Sequence, residues 1–160
     1  MSKPPPAANL EWTVLKVLQW AAPYLAARGI DSPRATAEIL LAHVLHTERV
    51  QLYVHHDQPL EPVELAAFKQ LLRRRLRREP VAYIVGWKGF WTLELTVTPE
   101  VLIPRPETEG LVEAALAALN ALPHGRTARV LDLGTGSGAI VLALAAEARR
   151  RGVDGVICGH

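Results

Sequence analysis

Val130-Leu131-Asp132-Leu133-Gly134-Thr135-Gly136-Ser137-Gly138 places three glycines within five positions, directly after an apolar run and directly before Ala139-Ile140-Val141-Leu142-Ala143-Leu144. The run at residues 129–133 is short and apolar, which predicts a buried strand, while residues 139–150 repeat apolar side chains at helical spacing, with Ile140, Val141, Leu144 and Ala145 on the inner face. Strand, glycine loop and helix thus follow in order. Glycine in such a turn permits positive φ and lets a ligand lie against the backbone, and the unpaired amides of the helix start meet it with a favourable dipole. An anion or carboxylate is the expected guest. The spacing alone admits two cofactor classes, dinucleotides and S-adenosylmethionine, because Gly134, Gly136 and Ala139 also satisfy G-x-G-x-x-G/A. The lack of Lys after Gly138 argues against a triphosphate P-loop. Asp132, just before the loop, suits the positively charged end of an amino-acid moiety or the orientation of the loop itself. Residues 152–158 read as a second strand of a parallel unit.

Working back toward the N-terminus, residues 107–122 read as a helix through Leu111, Val112, Ala115, Leu116 and Leu119. Pro99, Pro104 and Pro106 bound a rigid loop before it. Residues 83–85 and 90–97 carry a strand pattern, Trp91, Leu93, Leu95 and Val97 alternating with Thr and Glu, so a hairpin with its turn near residues 87–89 is predicted. Before Glu79-Pro80 the period is helical throughout. Helices are predicted over residues 10–28, with Pro23 as a kink, over 33–46, capped by Asp31 or Ser32, and over 62–78, with a short element at 50–55. The expected organisation is a tail at residues 1–9, a helical domain at 10–80, a hairpin and linker at 81–103, and an α/β domain beginning at 104 and running to 160.

The chain has 160 residues, 18 Lys plus Arg against 16 Asp plus Glu, 49% hydrophobic residues and 21% charged, which excludes disorder of the whole chain. No apolar stretch approaches the roughly 18 residues of a membrane span. The N-terminus, with Pro4, Pro5 and Pro6 and no apolar core, does not read as a secretory signal. Cys158 alone forms no intramolecular disulfide, so a reducing cytoplasm is the expected location. A net charge of +2 does not by itself imply a nucleic-acid partner.

Three blocks carry a resemblance. Pro80-Val81-Ala82-Tyr83-Ile84-Val85-Gly86 with Phe90, then Val101-Leu102-Ile103-Pro104-Arg105-Pro106-Glu107-Thr108-Glu109, then residues 130–138, resemble in order and separation the release-factor glutamine methyltransferases, the HemK/PrmC family. The middle block is the most specific. Ser32-Pro33-Arg34 and Ala42-His43-Val44-Leu45 extend the resemblance over residues 10–146. It implies an α/β protein: an N-terminal helical bundle that helps recognise a class I peptide-chain release factor, a β-hairpin linker, and the start of a Rossmann-like domain that binds S-adenosylmethionine. The implied reaction is methylation of the side-chain amide of glutamine in a Gly-Gly-Gln motif. By the same resemblance Asp132, Gly134, Thr135, Gly136, Ser137 and Gly138 are the cofactor-binding residues, and Arg105, Glu107 and Glu109 shape the cleft without an assigned chemical step. Ribosome association fits such an enzyme; direct nucleic-acid readout and membrane binding are not expected.

The chain departs from the family after Ala146. The acidic residue that ends the second strand and the Asn-Pro-Pro-Tyr segment that holds the substrate glutamine are both missing from these 160 residues. An amide nitrogen is a poor nucleophile, its lone pair being delocalised into the carbonyl, so transfer needs alignment and acceptors that hold the amide. The expectation is a C-terminally truncated chain without identifiable catalytic residues and without activity. The alternatives are a non-catalytic remnant presenting the helical module to a protein partner and, more weakly, a nicotinamide-dependent oxidoreductase with Asp154 near the ribose position.

Other residues read more simply. His43 and His46, with His55-His56 nearby, lack the further ligands of a metal site and read as helix-surface histidines; no metal is expected. Arg73, Arg74, Arg75, Arg77 and Arg78 suit a helix C-terminus, or else an acidic partner surface or RNA phosphates. Trp12 and Trp20 share a helix face and suggest core, while Trp87 and Trp91 flank the hairpin turn, where substrate contact and packing are equally open.

Overall fold

The computed structural model of the chain describes residues 11–122, 128–151 and 155–159, so the expected tail at 1–9 lies outside the described residues. The architecture is mixed helix and sheet, divided into two compact units, Met1–Val85 and Gly86–His160.

The first unit holds α1 (Val14–Ala26), α2 (Pro33–Val44), the single turn α3 (Gln51–Val54), α4 (Pro62–Leu76) and α5 (Val81–Val85). On α1 the buried positions Val14, Val17, Ala21 and Leu25 recur at three and four residues, and they meet Ala37, Leu40 and Leu41 of α2 and Phe68 and Leu72 of α4 in one core. Helix α1 runs on through Pro23. Its first amides are satisfied by a strap from downstream: Val14 donates to the Gln58 carbonyl at 3.0 Å and Leu15 to that of His56 at 2.9 Å. Helix α2 starts at Pro33 as expected, but not through a side-chain cap. Ser32 sits at φ +47° and makes no capping bond, while Thr36 Oγ1 donates back to the Asp31 carbonyl at 3.4 Å. Helix α4 opens on a capping box in which Glu61 and Glu64 each accept from the other's backbone amide.

Residues 83–85 correct the hairpin reading. They are the end of α5, which follows Pro80 with Tyr83 and Ile84 amides donating to the Pro80 carbonyl at 3.1 Å, and Gly86 at φ +82° closes it. A glycine with positive φ just past a helix is a stop signal, and here it outweighs the strand preference of Val81, Tyr83, Ile84 and Val85. The hairpin itself is β1 (Trp87–Phe90) and β2 (Leu93–Thr96), antiparallel, with Trp87 opposite Thr96 and Phe90 opposite Leu93. The turn therefore lies at Trp91-Thr92 and not at residues 87–89; Gly89 is within the strand, and Trp91 takes the left-handed conformation at φ +56°.

In the second unit a 3-10 turn, Pro106–Thr108, leads into α6 (Glu109–Asn120). Then come β3 (Ala128–Asp132), α7 (Ala139–Arg151) and β4 (Gly155–Gly159), the two strands parallel from Ala128 opposite Gly155 to Asp132 opposite Gly159. The strand–loop–helix–strand order expected around the glycines is present. Phe90 and Leu95 of the hairpin pack with Val112 and Leu116 of α6 and with Ala143 and Leu144 of α7, a second core separate from the first.

Candidate cofactor site

Asp132 ends β3 and the following six residues turn the chain into α7. Gly134, Gly136 and Gly138 all take positive φ, at +71°, +56° and +78°. An L side chain at any of the three is strained by roughly 1–2 kcal/mol before it meets a neighbour. The space differs: a Cβ on Gly134 would meet nothing within 4 Å, whereas one on Gly138 would lie 3.1 Å from Leu142 Cδ1. Gly134 and Gly136 thus leave the outer side of the loop open, and Gly138 lets the loop close onto the helix. Two bonds hold this shape: Thr135 Oγ1 donates to the Asp132 carbonyl at 3.0 Å, and the Gly138 amide donates to the Thr135 carbonyl at 2.9 Å. Leu142 N donates to the Gly138 carbonyl at 2.9 Å, so α7 begins at Ala139 with its first three amides outside the helical ladder.

Asp132 Oδ2 is buried and has no hydrogen-bond donor. A buried acceptor without a partner costs on the order of 1–3 kcal/mol, and a cationic donor placed there would recover it. Asp132, the three glycines, Thr135 and Ser137 are thereby gathered on one loop at the end of a strand. An ammonium near Asp132 and a carboxylate or hydroxyl-bearing group along the amides fit this donor and acceptor set.

The other singled-out residues lie apart from the loop's own bonds. Arg105 and Glu107 are exposed, Glu107 within the 3-10 turn. Glu109 acts as a tether, since its Oε1 accepts from the Trp91 amide at 3.0 Å and so fixes the left-handed hairpin turn to the start of α6. Trp91 is half-buried, and its indole Nε1 donates to Glu147 Oε1 at 3.2 Å. Glu147 is buried on α7 and also accepts from Arg150 at 2.8 Å. The sequence left Trp91 undecided and gave no direct sign of Glu147; the available signal was a lone carboxylate on an otherwise apolar face, three residues before an arginine. Trp87 is exposed.

In the helical unit His43 is half-buried, and burial, with the charges of His46 and Arg74, holds its imidazole below the ordinary value. His46 and His55 line an open pocket of about 240 Å³ with Thr47, Gln51 and Gln58. Among the described residues no group of three or more His, Cys, Asp or Glu is placed to hold a metal ion. Of the arginine run, Arg74 binds Glu79 and the Ile84 carbonyl, Arg75 the Glu79 carbonyl, and Arg78 the carbonyls of Gly29 and Arg28. Those three arginines tie helix ends to neighbouring turns. No described helix is long and apolar enough to cross a membrane.

Residues 16–86 match the family model of the PrmC N-terminal domain. The chain is 48% identical over 145 residues, 91% of its length, to a release factor glutamine methyltransferase of Geobacter sulfurreducens, of which it covers 49%. It is 43% identical over 135 residues, 84% of its length, to one from Rhodopirellula baltica, covering 46% of that protein. With one from Vibrio cholerae it shares 48% identity over 144 residues, 90% of its length and 49% of the relative's. The chain spans about half the length of the curated relatives it matches.

Proposed function

We infer that this chain belongs to the release factor glutamine methyltransferase family, and that its two units divide that family's work between substrate recognition and cofactor binding. One observation carries the reading: 48% identity extends over 145 residues, more than either unit contains, so both are covered. The proposed cofactor is S-adenosylmethionine, which when bound supplies a methyl group on a sulfonium centre. The glycine loop suits it. Gly134 and Gly136 leave the backbone open to close approach, and the free amides of α7 face whatever lies along the loop. Asp132 Oδ2 would accept from the ammonium of the methionyl end, which supplies the donor that this buried oxygen lacks. Thr135 holds the loop through the Asp132 carbonyl, and Ser137 completes the proposed set of cofactor-binding residues. The second unit is then the start of a Rossmann-like domain, β3 and β4 being two of its parallel strands.

The proposed substrate is the glutamine amide of the Gly-Gly-Gln motif in a class I release factor, in the cytoplasm where such factors act. These 160 residues contain no Asn-Pro-Pro-Tyr segment to hold that amide. The helical unit has a core of its own, so its fold does not depend on the second unit's core.

Calorimetric titration of the chain with S-adenosylhomocysteine tests the reading. Saturable binding is expected, lost in Gly136→Val, whose side chain is incompatible with φ +56°, and weakened at least about 10-fold in Asp132→Asn, which removes a charge-assisted hydrogen bond. A folded chain that takes up no S-adenosylhomocysteine at millimolar concentration overturns it.

A further inference from the structure

Once the structural arginines and Lys16, which donates to the Glu11 carbonyl at 3.1 Å, are accounted for, three cations are left over among the described residues of the helical unit. Lys69, Arg73 and Arg77 are exposed, follow one another at four-residue steps along α4 and its first following residue, and form no salt bridge among the described residues. Steps of four residues put them about 6 Å apart along the axis. Attraction to a helix C-terminus accounts for Arg73 and Arg77 but not for Lys69, which lies outside the last turn of α4. Glu79, the carboxylate within electrostatic reach of Arg77, is already held by Arg74.

Beside this row runs an aromatic stack on α1. Trp20 stacks on Tyr24 with centroids 4.8 Å apart, the Arg28 guanidinium lies 3.6 Å over the Tyr24 ring, and Trp12 meets Trp20 edge-on at 6.2 Å. Lys69 lines a shallow apolar notch together with Trp12, Trp20, Leu65 and Phe68. The two rows therefore share a seam, and Arg78, bonded to the carbonyls of Arg28 and Gly29, joins them at the far end.

We propose that the seam between α1 and α4 docks an acidic segment of the protein substrate, its carboxylates on Lys69, Arg73 and Arg77 and a methyl group of one apolar side chain against the notch of about 20 Å³ beside Trp12 and Trp20. A nucleic acid fits less well. The Tyr24 ring is already engaged by Trp20 and Arg28, so the stacking platform that unpaired bases need is not offered there. Three free cations also fall short of the roughly 6–10 phosphate contacts of a typical nucleic-acid binder. Carboxylates one helical turn apart on an acidic segment match the row, and the apolar notch beside Lys69 has room for a methyl group and offers nothing to a phosphate. The identity of the partner as a release factor rests on the function proposed above; the chemistry of the seam does not.

The experiment measures binding of the chain to a bacterial class I release factor, to a Glu-rich helical peptide carrying one leucine, and to poly(U) RNA, each at two salt concentrations. In the triple variant Lys69→Glu/Arg73→Glu/Arg77→Glu, release factor binding is expected to fall at least about 10-fold. Lys69→Gln/Arg73→Gln/Arg77→Gln is expected to lower it less and to flatten its salt dependence, and Lys69→Arg/Arg73→Lys/Arg77→Lys to retain it. Helical circular dichroism of each variant reports folding independently. Release factor binding unchanged in both the Glu and Gln triples overturns the seam and leaves the family function standing. Peptide bound through the seam without any release factor binding supports the seam and removes the release factor as its partner. Tighter binding of poly(U) than of either protein probe overturns the assignment to a protein.

Discussion

Glu38 is 2% exposed and accepts from Arg34 Nε at 3.0 Å, from Arg49 and from the Tyr53 hydroxyl, joining α2 to α3 through one carboxylate. Burial pushes its pKa up, but the three donors, Tyr53 foremost, outweigh burial and leave it below the ordinary value. The unfolded chain therefore binds the Glu38 proton more readily than the folded one. Stability from this group is complete above the ordinary carboxylate range and is lost as pH falls through the lower folded value. Glu38→Gln should flatten the acid limb of a thermal-stability profile below the ordinary carboxylate range. At neutral pH it should cost about 1–3 kcal/mol, less than a fully buried pair because Arg34 and Arg49 are exposed enough to regain water. Urea titration at two pH values measures both effects. The i,i+4 spacing of Arg34 and Glu38 is a legible signal for one pair, but Arg49 and Tyr53 lie 11 and 15 residues from Glu38, beyond any local pattern. The glycine loop was legible for the opposite reason: three glycines at a strand-to-helix junction have few structural explanations, and all three take positive φ.

Elements were legible where a period ran for ten residues or more, as in α1, α2, α4, α6 and α7, but the inner face of α7 is Ala139, Ala143, Leu144, Glu147 and Ala148, and Ala145, expected inside, is exposed. Short elements were not legible. Residues 81–85 carry strand-preferring side chains, but Pro80 before them and Gly86 after them fix a helical turn that buries Ile84 and Val85. The hairpin was found but its turn was misplaced, because Gly89 is the obvious turn residue and Trp91 an unfavourable one. Trp91 is kept at φ +56° by Glu109 on its amide and Glu147 on its indole, contacts from α6 and α7 that no local pattern contains. Trp91→Phe should cost about 1–2 kcal/mol by removing the donor to buried Glu147, read as a lower denaturant midpoint. Gly110 offers the reverse case. It lies inside α6, has ordinary φ, and a Cβ there meets nothing within 4 Å, so Gly110→Ala should stabilise α6 by about 0.5–1 kcal/mol, seen as a raised melting temperature of the second unit.

At the scale of the molecule, each unit encloses its own core, and the two differ in how well their apolar surface is covered. The first unit buries residues from all five of its helices. In the second, Leu131 and Leu133 beside the loop are 62% and 74% exposed and Leu142 on α7 is 47% exposed, with β3 pairing only β4 among the described residues. A two-stranded sheet with uncovered leucines is marginal in water. For the 160-residue polypeptide, hydrogen exchange should therefore protect the amides of α1, α2 and α4 well beyond those of β3 and α7. Equal protection in both units would contradict this. Ligand binding only to the folded second unit should raise its protection selectively, by mass action.

The four tryptophans fall two to each unit, Trp12 and Trp20 in the first and Trp87 and Trp91 in the second. They sit in unlike surroundings: Trp20 lies against another indole and a tyrosine, Trp91 holds a buried carboxylate, and Trp87 is open to water. The chain thus carries two sets of built-in fluorophores with different emission colours and quenching. Replacing either pair by phenylalanine leaves a protein whose fluorescence follows one unit alone, so that the unfolding of each unit can be followed without an attached dye.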